Sequence, residues 1–214
     1  SRDVRHPLNK SLLVHRLQQA LSLRERFFPE PYYRLVYGDS DFLPGLVVDR
    51  FGDYLVVQVN SAGMDLVKDD IVAALEKVLS PKGILFRNDG KARVAEGLES
   101  YVAVAAGEVP QEVELLENGV KFLAPVHEGQ KTGWFFDHRE NRARLKGLVE
   151  GKRVLDVFSY AGSWGVQAAV FGASEVLCVD ASEFALDYVE KNAALNDVAE
   201  KVGTFQGDAF QVLT

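Results

Sequence analysis

The sequence predicts an open α/β sheet in its C-terminal half, with a smaller α+β region before it. Residues 154–157 are typical of a buried strand, and a glycine-containing turn leads from them into a helix at about Ser163. A second apolar strand follows at residues 176–179, and a third strand-like run ends before Gly207. Strands that alternate with helices form parallel sheets, and such sheets bind their ligands beyond the carboxyl ends of the strands.

An acidic residue stands at or just after the end of each of these strands, namely Asp156, Asp180 and Asp208. A nicotinamide nucleotide site would instead place the pattern G-x-G-x-x-G after the first strand. The corresponding positions hold Phe158, Tyr160 and Gly162, so only one of the three glycines is present. A carboxylate at Asp156 would also repel a pyrophosphate group. The sequence therefore disfavours a dehydrogenase.

The three acids suit a cationic nucleoside without phosphate. Asp156 can bind the α-amino group of a methionine moiety, and Asp180 can accept hydrogen bonds from both ribose hydroxyls. Asp208 can accept from the adenine amine while the Ala209 backbone contacts the ring. This combination predicts S-adenosylmethionine as the ligand. Each acid alone is more often a helix N-cap or a solvated turn residue, and only their shared position on successive strands favours the ligand.

Length and local patterns predict two domains. The chain has 214 residues, of which 47% are hydrophobic, enough for one large or two small domains with a real core. Two short strands, at residues 113–117 and 120–124, flank Asn118 and Gly119, which is a strong hairpin signal. We place the boundary near residues 107–112. Residues 1–110 are then a central α+β domain with an N-terminal basic helix, and residues 111–214 form the sheet domain with its leading hairpin.

The basic N-terminal helix is expected to begin at Asn9 or Ser11 and to end near residue 28, with Leu13 and Leu17 in its buried stripe. Residues 1–34 carry a net charge of +4, which leaves −11 for the rest of a chain whose total is −7. Two interpretations of its arginines stay open at this point. They either form a solvated face or contact phosphates, and the residues concerned are Arg16, Arg24 and Arg26.

Three further patterns are interpreted as follows. One amphipathic helix is expected over residues 65–79, with Leu66 facing inward. The polar cluster Arg87, Asn88 and Asp89 follows a short strand at residues 84–86 and favours a surface helix start over a site. Asp137 is expected to cap a helix that runs to about residue 150, with residues 134–136 in the core or along the ligand.

The single cysteine, Cys178, excludes an internal disulfide and suits a reducing compartment. Its place inside an apolar strand favours a packing role over catalysis. No His/Cys cluster has metal-ligand spacing, so no metal is expected. The sequence contains no signal peptide and no apolar run long enough to cross a membrane, which predicts a soluble cytoplasmic protein.

Two stretches together resemble one known family. They are Lys131-Thr132-Gly133-Trp134-Phe135-Phe136-Asp137-His138-Arg139-Glu140-Asn141-Arg142 and Val154-Leu155-Asp156-Val157-Phe158-Ser159-Tyr160-Ala161-Gly162. They are similar to the bacterial and archaeal ribosomal RNA large-subunit methyltransferases of the cytosine-5 type. That family has an N-terminal PUA domain, a central α/β domain, which residues 40–52 and 87–89 resemble, and a C-terminal Rossmann-like class I methyltransferase domain. The resemblance implies an S-adenosylmethionine-dependent enzyme of rRNA processing that binds ribosomal RNA. A homodimer is compatible with it.

The resemblance also implies a set of residues around the cofactor. Besides the three acids and Ala209, this set includes residues of the two matching stretches and a residue at the start of the helix after the second strand. The cofactor-binding residues are expected to be Lys131, Thr132, Asp137, Arg139, Asp156, Phe158, Ser159, Tyr160, Gly162, Asp180, Ser182, Asp208 and Ala209.

The family's chemistry requires a cysteine thiolate that adds to carbon 6 of the cytosine, which makes carbon 5 able to accept a methyl group. Cys178 does not suit that role, so the nucleophile is expected beyond Thr214, and the chain is expected to be a fragment with a truncated sheet. Two alternatives stay open. The cofactor could serve a small-molecule or protein substrate, or the chain could be a non-catalytic RNA- or protein-binding remnant.

Overall fold

A computed structural model describes residues 8–212 of the chain and the side chains of residues 8–210. The chain divides into two compact units. The first contains the residues up to Val113 together with Pro125–Trp134, and the second contains Glu114–Ala124 together with the residues from Phe135 onward. The chain thus leaves the first unit through a hairpin and returns for one short segment. The assignment of residues 1–110 and 111–214 to two family domains stays a prediction.

The first unit is built on five strands, which are β1 (Tyr32–Tyr37), β2 (Leu46–Phe51), β3 (Tyr54–Val59), β4 (Gly83–Asn88) and β5 (Tyr101–Gly107). They form one sheet in the order β1-β2-β3-β4-β5. β3 and β4 pair in parallel, and the other neighbours are antiparallel. The unit therefore mixes hairpin connections with one crossover, as an α+β region does.

Four helices accompany this sheet, namely α1 (Lys10–Phe27), α2 (Ala62–Asp65), α3 (Lys68–Leu79) and α4 (Lys91–Ala95). α1 begins as its sequence predicts, because the Asn9 side chain accepts a hydrogen bond from the Leu12 N–H at 3.1 Å. α1 and α3 pack against each other. Leu13 and Leu17 of α1 and Ile71 of α3 are fully buried in one core with the strands.

The second unit contains strands β6 (Val113–Glu117), β7 (Val120–Ala124), β8 (Arg153–Val157), β9 (Glu175–Asp180) and β10 (Val202–Gln206), and helices α5 (Arg139–Ala143), α6 (Gly165–Val170), α7 (Glu183–Leu195) and α8 (Ala209–Val212). β6 and β7 form a two-stranded sheet around Asn118 and Gly119, which have φ angles of 56° and 81°. The predicted hairpin is therefore confirmed. β8, β9 and β10 form a parallel sheet in the order β10-β9-β8, which confirms the predicted open α/β sheet. The prediction that residues 154–157 are buried is wrong, because Leu155 is 50% exposed and the other three are only partly buried.

The single helix predicted over residues 65–79 is wrong at its start. Ser61 caps the short helix α2, and the chain then breaks before α3 begins at Lys68. Leu66 lies in that break and is 89% exposed instead of buried. Two acids in the first turn of α3, Asp69 and Asp70, favour a fresh helix start there because they complement the helix dipole.

The polar cluster after residue 86 was wrongly interpreted as a surface helix start. Arg87 and Asn88 belong to β4 and are 3% and 0% exposed. The Arg87 guanidinium donates to the carbonyl oxygens of Val126 and Gly129, each at 2.7 Å, and pairs with Asp89 at 2.9 Å. A buried arginine is tolerated here because backbone acceptors and a carboxylate surround it.

The helix predicted from Asp137 to about residue 150 is also wrong. A 3₁₀ turn spans Phe136–His138, α5 then ends at Ala143, and turns follow. His138 occupies the N-cap position without a side-chain hydrogen bond, and Asp137 is exposed. Gly147 has a φ of 85°, which is left-handed and interrupts a helix.

Arg24 fits neither of the two interpretations left open for it, a solvated face or a phosphate contact. Its guanidinium forms two hydrogen bonds with the Asp41 carboxylate, at 2.8 and 2.7 Å, and its Nε donates to the Arg34 carbonyl oxygen at 3.1 Å. This arginine ties α1 to the residues around β1, so we assign it a structural role. None of the described helices is long and apolar enough to cross a membrane.

Candidate functional site

The three predicted acids meet at one edge of the parallel sheet in the second unit. Asp156 is the fourth residue of β8, Asp180 is the last of β9, and Asp208 follows β10 by two residues. Because the three strands are parallel neighbours, their carboxyl ends lie side by side. The sheet thus concentrates negative charge where α/β sheets bind their ligands.

Asp156 is mostly buried and lies at the start of α6, where its Oδ2 accepts a hydrogen bond from the Gly165 N–H at 2.9 Å. Burial raises the pKa of Asp156 from 3.8 to about 6, while the Gly165 N–H lowers it, the nearby Asp180 charge raises it and Arg142 lowers it. A cation that binds beside Asp156 would favour the ionised form of its carboxyl group over the protonated form.

Asp180 organises the backbone on both sides of the site. Its Oδ2 accepts from the Tyr160 N–H at 2.9 Å, and its Oδ1 accepts from the Ser182 N–H at 3.0 Å. Ser182 in turn caps α7 by accepting from the Ala185 N–H at 3.3 Å. Each carboxylate oxygen can accept a further hydrogen bond, so both remain chemically suited to a pair of hydroxyl groups.

The turn after β8 has an unusual backbone. Phe158 and Tyr160 have φ angles of 63° and 48°, which non-glycine residues rarely adopt, and Gly162 has 76°. Ser159 is 2% exposed, and among the described residues its hydroxyl has no hydrogen-bond partner. Strained turns and unsatisfied buried hydroxyl groups concentrate at ligand sites.

Two aromatic rings stand at the surface beside this edge. Phe158 and Phe210 are 70% and 78% exposed, and their rings lie 6.5 Å apart in an edge-to-face arrangement. Asp208 is exposed and its Oδ1 accepts from the Phe210 N–H at 2.8 Å, whereas Ala209 is buried. Sequence analysis did not identify Phe210. The sequence signal that could have identified it is its place directly after Asp208 and Ala209, which are the predicted adenine contacts.

The other predicted site residues are distributed as follows. Lys131 and Thr132 belong to the first unit, and the Thr132 hydroxyl there donates to Asp49 at 2.5 Å. Asp137 and Arg139 belong to the second unit. Arg139 is buried, and its carbonyl oxygen accepts from the Asn118 side chain at 3.1 Å. The part of these four residues in cofactor binding stays a prediction.

A buried polar network, which sequence analysis missed, holds the hairpin to helices α5 and α6 of the second unit. Arg142 forms a bidentate pair with Glu117 at 2.6 and 2.9 Å, and both side chains are 1% exposed. Gln167 of α6 donates to the same carboxylate at 2.9 Å and accepts from Asn118 at 2.9 Å. The network therefore links β6, α5 and α6.

Cys178 is fully buried in β9, and burial raises the pKa of its thiol above the ordinary value of 9.0. A side chain added at Gly165 would overlap its sulfur atom, so α6 packs directly on this residue. A buried thiol with a raised pKa is a poor nucleophile. No group of three potential ligands within the described part of the chain could hold a metal ion.

A family model for S-adenosylmethionine-dependent methyltransferases matches residues 96–211, which is more than half of the chain. The chain belongs to this methyltransferase family. The matched segment contains the hairpin, the parallel sheet and all three acids.

Curated relatives carry a more specific name. The chain is 36% identical over 216 residues to a Ribosomal RNA large subunit methyltransferase I from Shigella boydii serotype 18, covering 99% of this chain and 54% of the relative. A protein of the same name from Escherichia coli O139:H28 matches with the same identity and coverage. The chain thus spans about half the length of the curated relatives it matches.

Solved methyltransferase structures share the fold. A Streptococcus mutans protein described as a SAM-dependent methyltransferase superposes with a TM-score of 0.85 at 26% identity, covering 97% of this chain and 55% of that one. A second structure, of a methyltransferase complexed with SAH, the demethylated cofactor, gives the same TM-score and identity and covers 97% and 54%.

Proposed function

We propose that the carboxyl edge of β8, β9 and β10 binds S-adenosylmethionine. The observation that carries this proposal is the meeting of three carboxylates there, one of them a mostly buried acid with a raised pKa. A ligand with a cationic sulfur and a cationic amino group offsets such charge, and a phosphate-bearing nucleotide does not. Family membership and the SAH-bound structural relative support the same ligand.

Each acid has its own part in this proposal. Asp156 binds the α-amino group of the cofactor, Asp180 accepts from the ribose hydroxyls, and Asp208 with the Ala209 backbone holds the adenine. The unpaired Ser159 hydroxyl supplies one more polar contact, and the Phe158 ring provides an apolar wall. Five further residues of the same unit complete the proposed set, namely Asp137, Arg139, Tyr160, Gly162 and Ser182. When bound, the cofactor supplies an electrophilic methyl group.

The proposed substrate is a base of large-subunit ribosomal RNA, and more specifically carbon 5 of a cytosine. The curated relatives named as ribosomal RNA large subunit methyltransferase I support the RNA class. The cytosine carbon rests on the resemblance of the residue 131–142 and 154–162 stretches to cytosine-5 enzymes. The residues at the carboxyl edge of β8, β9 and β10 hold the cofactor and orient it toward the base.

The thiolate that this chemistry needs is assigned to a cysteine outside these 214 residues. Cys178 is the one cysteine of the chain, and its burial and raised pKa disfavour it as the nucleophile. In a longer protein that contains this chain, Cys178→Ala is expected to leave methyl transfer to ribosomal RNA intact. Loss of transfer with the fold preserved would assign the nucleophile to Cys178.

Calorimetric titration with S-adenosylmethionine and with SAH tests the cofactor site. Asp180→Asn should weaken binding by about 1.5–3 kcal/mol, or about 10- to 150-fold, the range for a hydrogen bond to a charged group. Asp187→Asn, an exposed acid on α7, is the matched control and should bind as the wild type does. Equal affinity of wild type and Asp180→Asn, with both proteins folded, would refute the site.

A further inference from the structure

A groove of about 620 Å³ runs along the exposed face of α1 in the first unit. His15, Arg16, Leu23 and Arg26 line it from the helix, and Phe42 faces it from the turn after β1. This groove lies outside the proposed cofactor site. Its lining combines basic side chains with an aromatic ring, a combination that none of the functions proposed above uses.

Phe42 is held on the surface by its backbone. It has a left-handed φ of 58° and is 70% exposed. Its N–H donates to the Asp39 carbonyl oxygen at 3.0 Å, and the next N–H, of Leu43, donates to the Gly38 carbonyl oxygen at 3.0 Å. A phenylalanine in this conformation is rare, and the two hydrogen bonds hold the backbone of the turn from which its ring projects.

Arg16 lies directly over this ring. Its guanidinium carbon is 4.8 Å from the centre of the Phe42 ring, and its Nη1 donates to the Gln19 side chain at 3.1 Å. The ring and the planar guanidinium together present a stacking surface inside the groove. We name these two residues the Phe42–Arg16 pair.

The net charge of the groove is positive. Asp41 is the only carboxylate among its lining residues, and Arg24 pairs with that carboxylate through two hydrogen bonds. The Tyr37 N–H also donates to Asp41, at 2.7 Å. The acid is thus neutralised from outside the groove, whereas Arg16 and Arg26 add positive charge to it.

We propose that this groove binds an unpaired nucleotide of the RNA substrate, with its base stacked on the Phe42–Arg16 pair and its phosphate at Arg26. The inference rests on the proposed function, which makes RNA the substrate, and adds a second contact site to it. Unpaired bases stack on aromatic rings and guanidinium planes, and backbone phosphates bind basic side chains. Paired bases are already stacked in a duplex and do not offer their faces, so the groove selects single strands.

Fluorescence anisotropy with a labelled single-stranded RNA of about 12 nucleotides, a length within the site sizes of such proteins, tests the proposal. Phe42→Ala should weaken binding about 5- to 150-fold without changing its salt dependence. Arg26→Gln should reduce the log–log salt slope by about 0.7, the value for one phosphate on a single strand. A fully paired hairpin RNA should bind more weakly than the single strand and respond little to Phe42→Ala.

Two matched controls are available on α1. Phe27 is as exposed as Phe42, at 70%, but does not line the groove, so Phe27→Ala should leave affinity unchanged. Lys10 is exposed at the start of the helix and outside the groove, so Lys10→Gln controls for the loss of one positive charge. Because Phe42 is exposed, its variant should keep the wild-type melting temperature.

The outcomes separate this inference from the proposed function. If the wild type binds ribosomal RNA fragments but Phe42→Ala behaves as Phe27→Ala does, the groove inference is overturned and the RNA function stands. If the arginine variants lose binding while Phe42→Ala does not, the groove recognises charge alone, as it would on an acidic peptide, and stacking is refuted. If the wild type binds no RNA, both the proposed RNA substrate and the groove inference are refuted, whereas the cofactor site is tested separately by calorimetry.

Discussion

At the scale of single residues, the charge of Asp156 is disfavoured by its surroundings. Burial opposes the ionised carboxyl group, and the neighbouring Asp180 charge opposes it further. The Gly165 N–H and Arg142 compensate only in part. A residue in this situation lowers the stability of the folded protein at neutral pH, and function explains its presence better than folding does.

This environment makes the free energy of unfolding depend on pH. The folded carboxyl keeps its proton up to about pH 6, whereas the unfolded one loses it near 3.8. Between these values the folded state binds more protons, so stability falls as pH rises, by about 3 kcal/mol at most. Asp156→Asn removes this loss. Urea unfolding from pH 4 to 7 should show the variant gaining stability relative to wild type, and a constant difference would contradict the raised pKa.

Glu117 and Arg142 are the second case in which single residues decide stability. Replacing Glu117 by Gln leaves the buried Arg142 guanidinium without its counter-charge, which should cost about 3 kcal/mol or more. Glu114 lies on the same strand but is exposed, and Glu114→Gln should change stability by less than about 0.5 kcal/mol. Urea unfolding of both variants measures the difference. Equal effects would show that the buried pair contributes nothing beyond a surface charge.

At the scale of elements, the close approach of α6 to β9 determines the geometry of the candidate site. Gly165 begins α6, and its N–H donates to Asp156. A side chain there would overlap the Cys178 sulfur and lie close to Val176 and the Asp156 carboxylate. The helix can therefore reach Asp156 only because residue 165 is a glycine and its neighbour across the interface is small.

Gly165→Ala should destabilise the protein by about 1–3 kcal/mol, the range for overpacking a core, although alanine is the better helix former. The same change in a Cys178→Ala background should cost less, because the overlapping sulfur is gone. The coupling is measured by a double-mutant cycle of unfolding free energies. Gly63→Ala is the control and should be neutral or stabilising, since beyond its chain neighbours and its own helix backbone no atom lies within 4 Å of the added carbon. If the unfolding free-energy costs of the two substitutions simply add, the contact between residue 165 and the Cys178 sulfur is refuted.

At the scale of the whole molecule, the distribution of charge matters more than its sum. The chain carries −7 in total, yet the groove of α1 is basic. Charges more than about 8 Å apart are largely screened at physiological salt, so an acidic surface elsewhere does not prevent RNA from binding this groove. The net charge alone therefore does not exclude an RNA substrate.

Binding of ribosomal RNA fragments should accordingly weaken as salt rises. The double variant Arg16→Gln/Arg26→Gln should reduce the log–log slope by about 0.7, because Arg26 holds the one phosphate while Arg16 stacks with the base. Arg24→Gln should leave the slope unchanged and lower stability instead, because it breaks the pair with Asp41. Filter binding across a salt series measures the slopes. A slope change at Arg24 and none at Arg16 and Arg26 would reverse the assignment.

The sequence by itself determined the elements whose signals are local. The parallel strands with their terminal acids, the Asn118–Gly119 hairpin and the capped helix α1 were predictable, because apolar periodicity and turn residues act over a few neighbouring positions. The three carboxylates could be placed together since parallel strands share one edge. The family followed from two contiguous stretches of sequence.

Only the tertiary structure decided where the other polar side chains lie. Arg87 and Arg142 look like surface residues in the sequence and are buried, because acceptors distant in the chain, such as the Val126 carbonyl oxygen and Glu117, surround them. Strand β5 was not predicted from the sequence, and it pairs with β4 in the sheet of the first unit. Phe42 and Phe210 are apolar residues that the backbone holds at the surface. A sequence pattern does not show which atoms distant in the chain come into contact. Those contacts decide whether a charged side chain is buried and whether an aromatic ring is exposed.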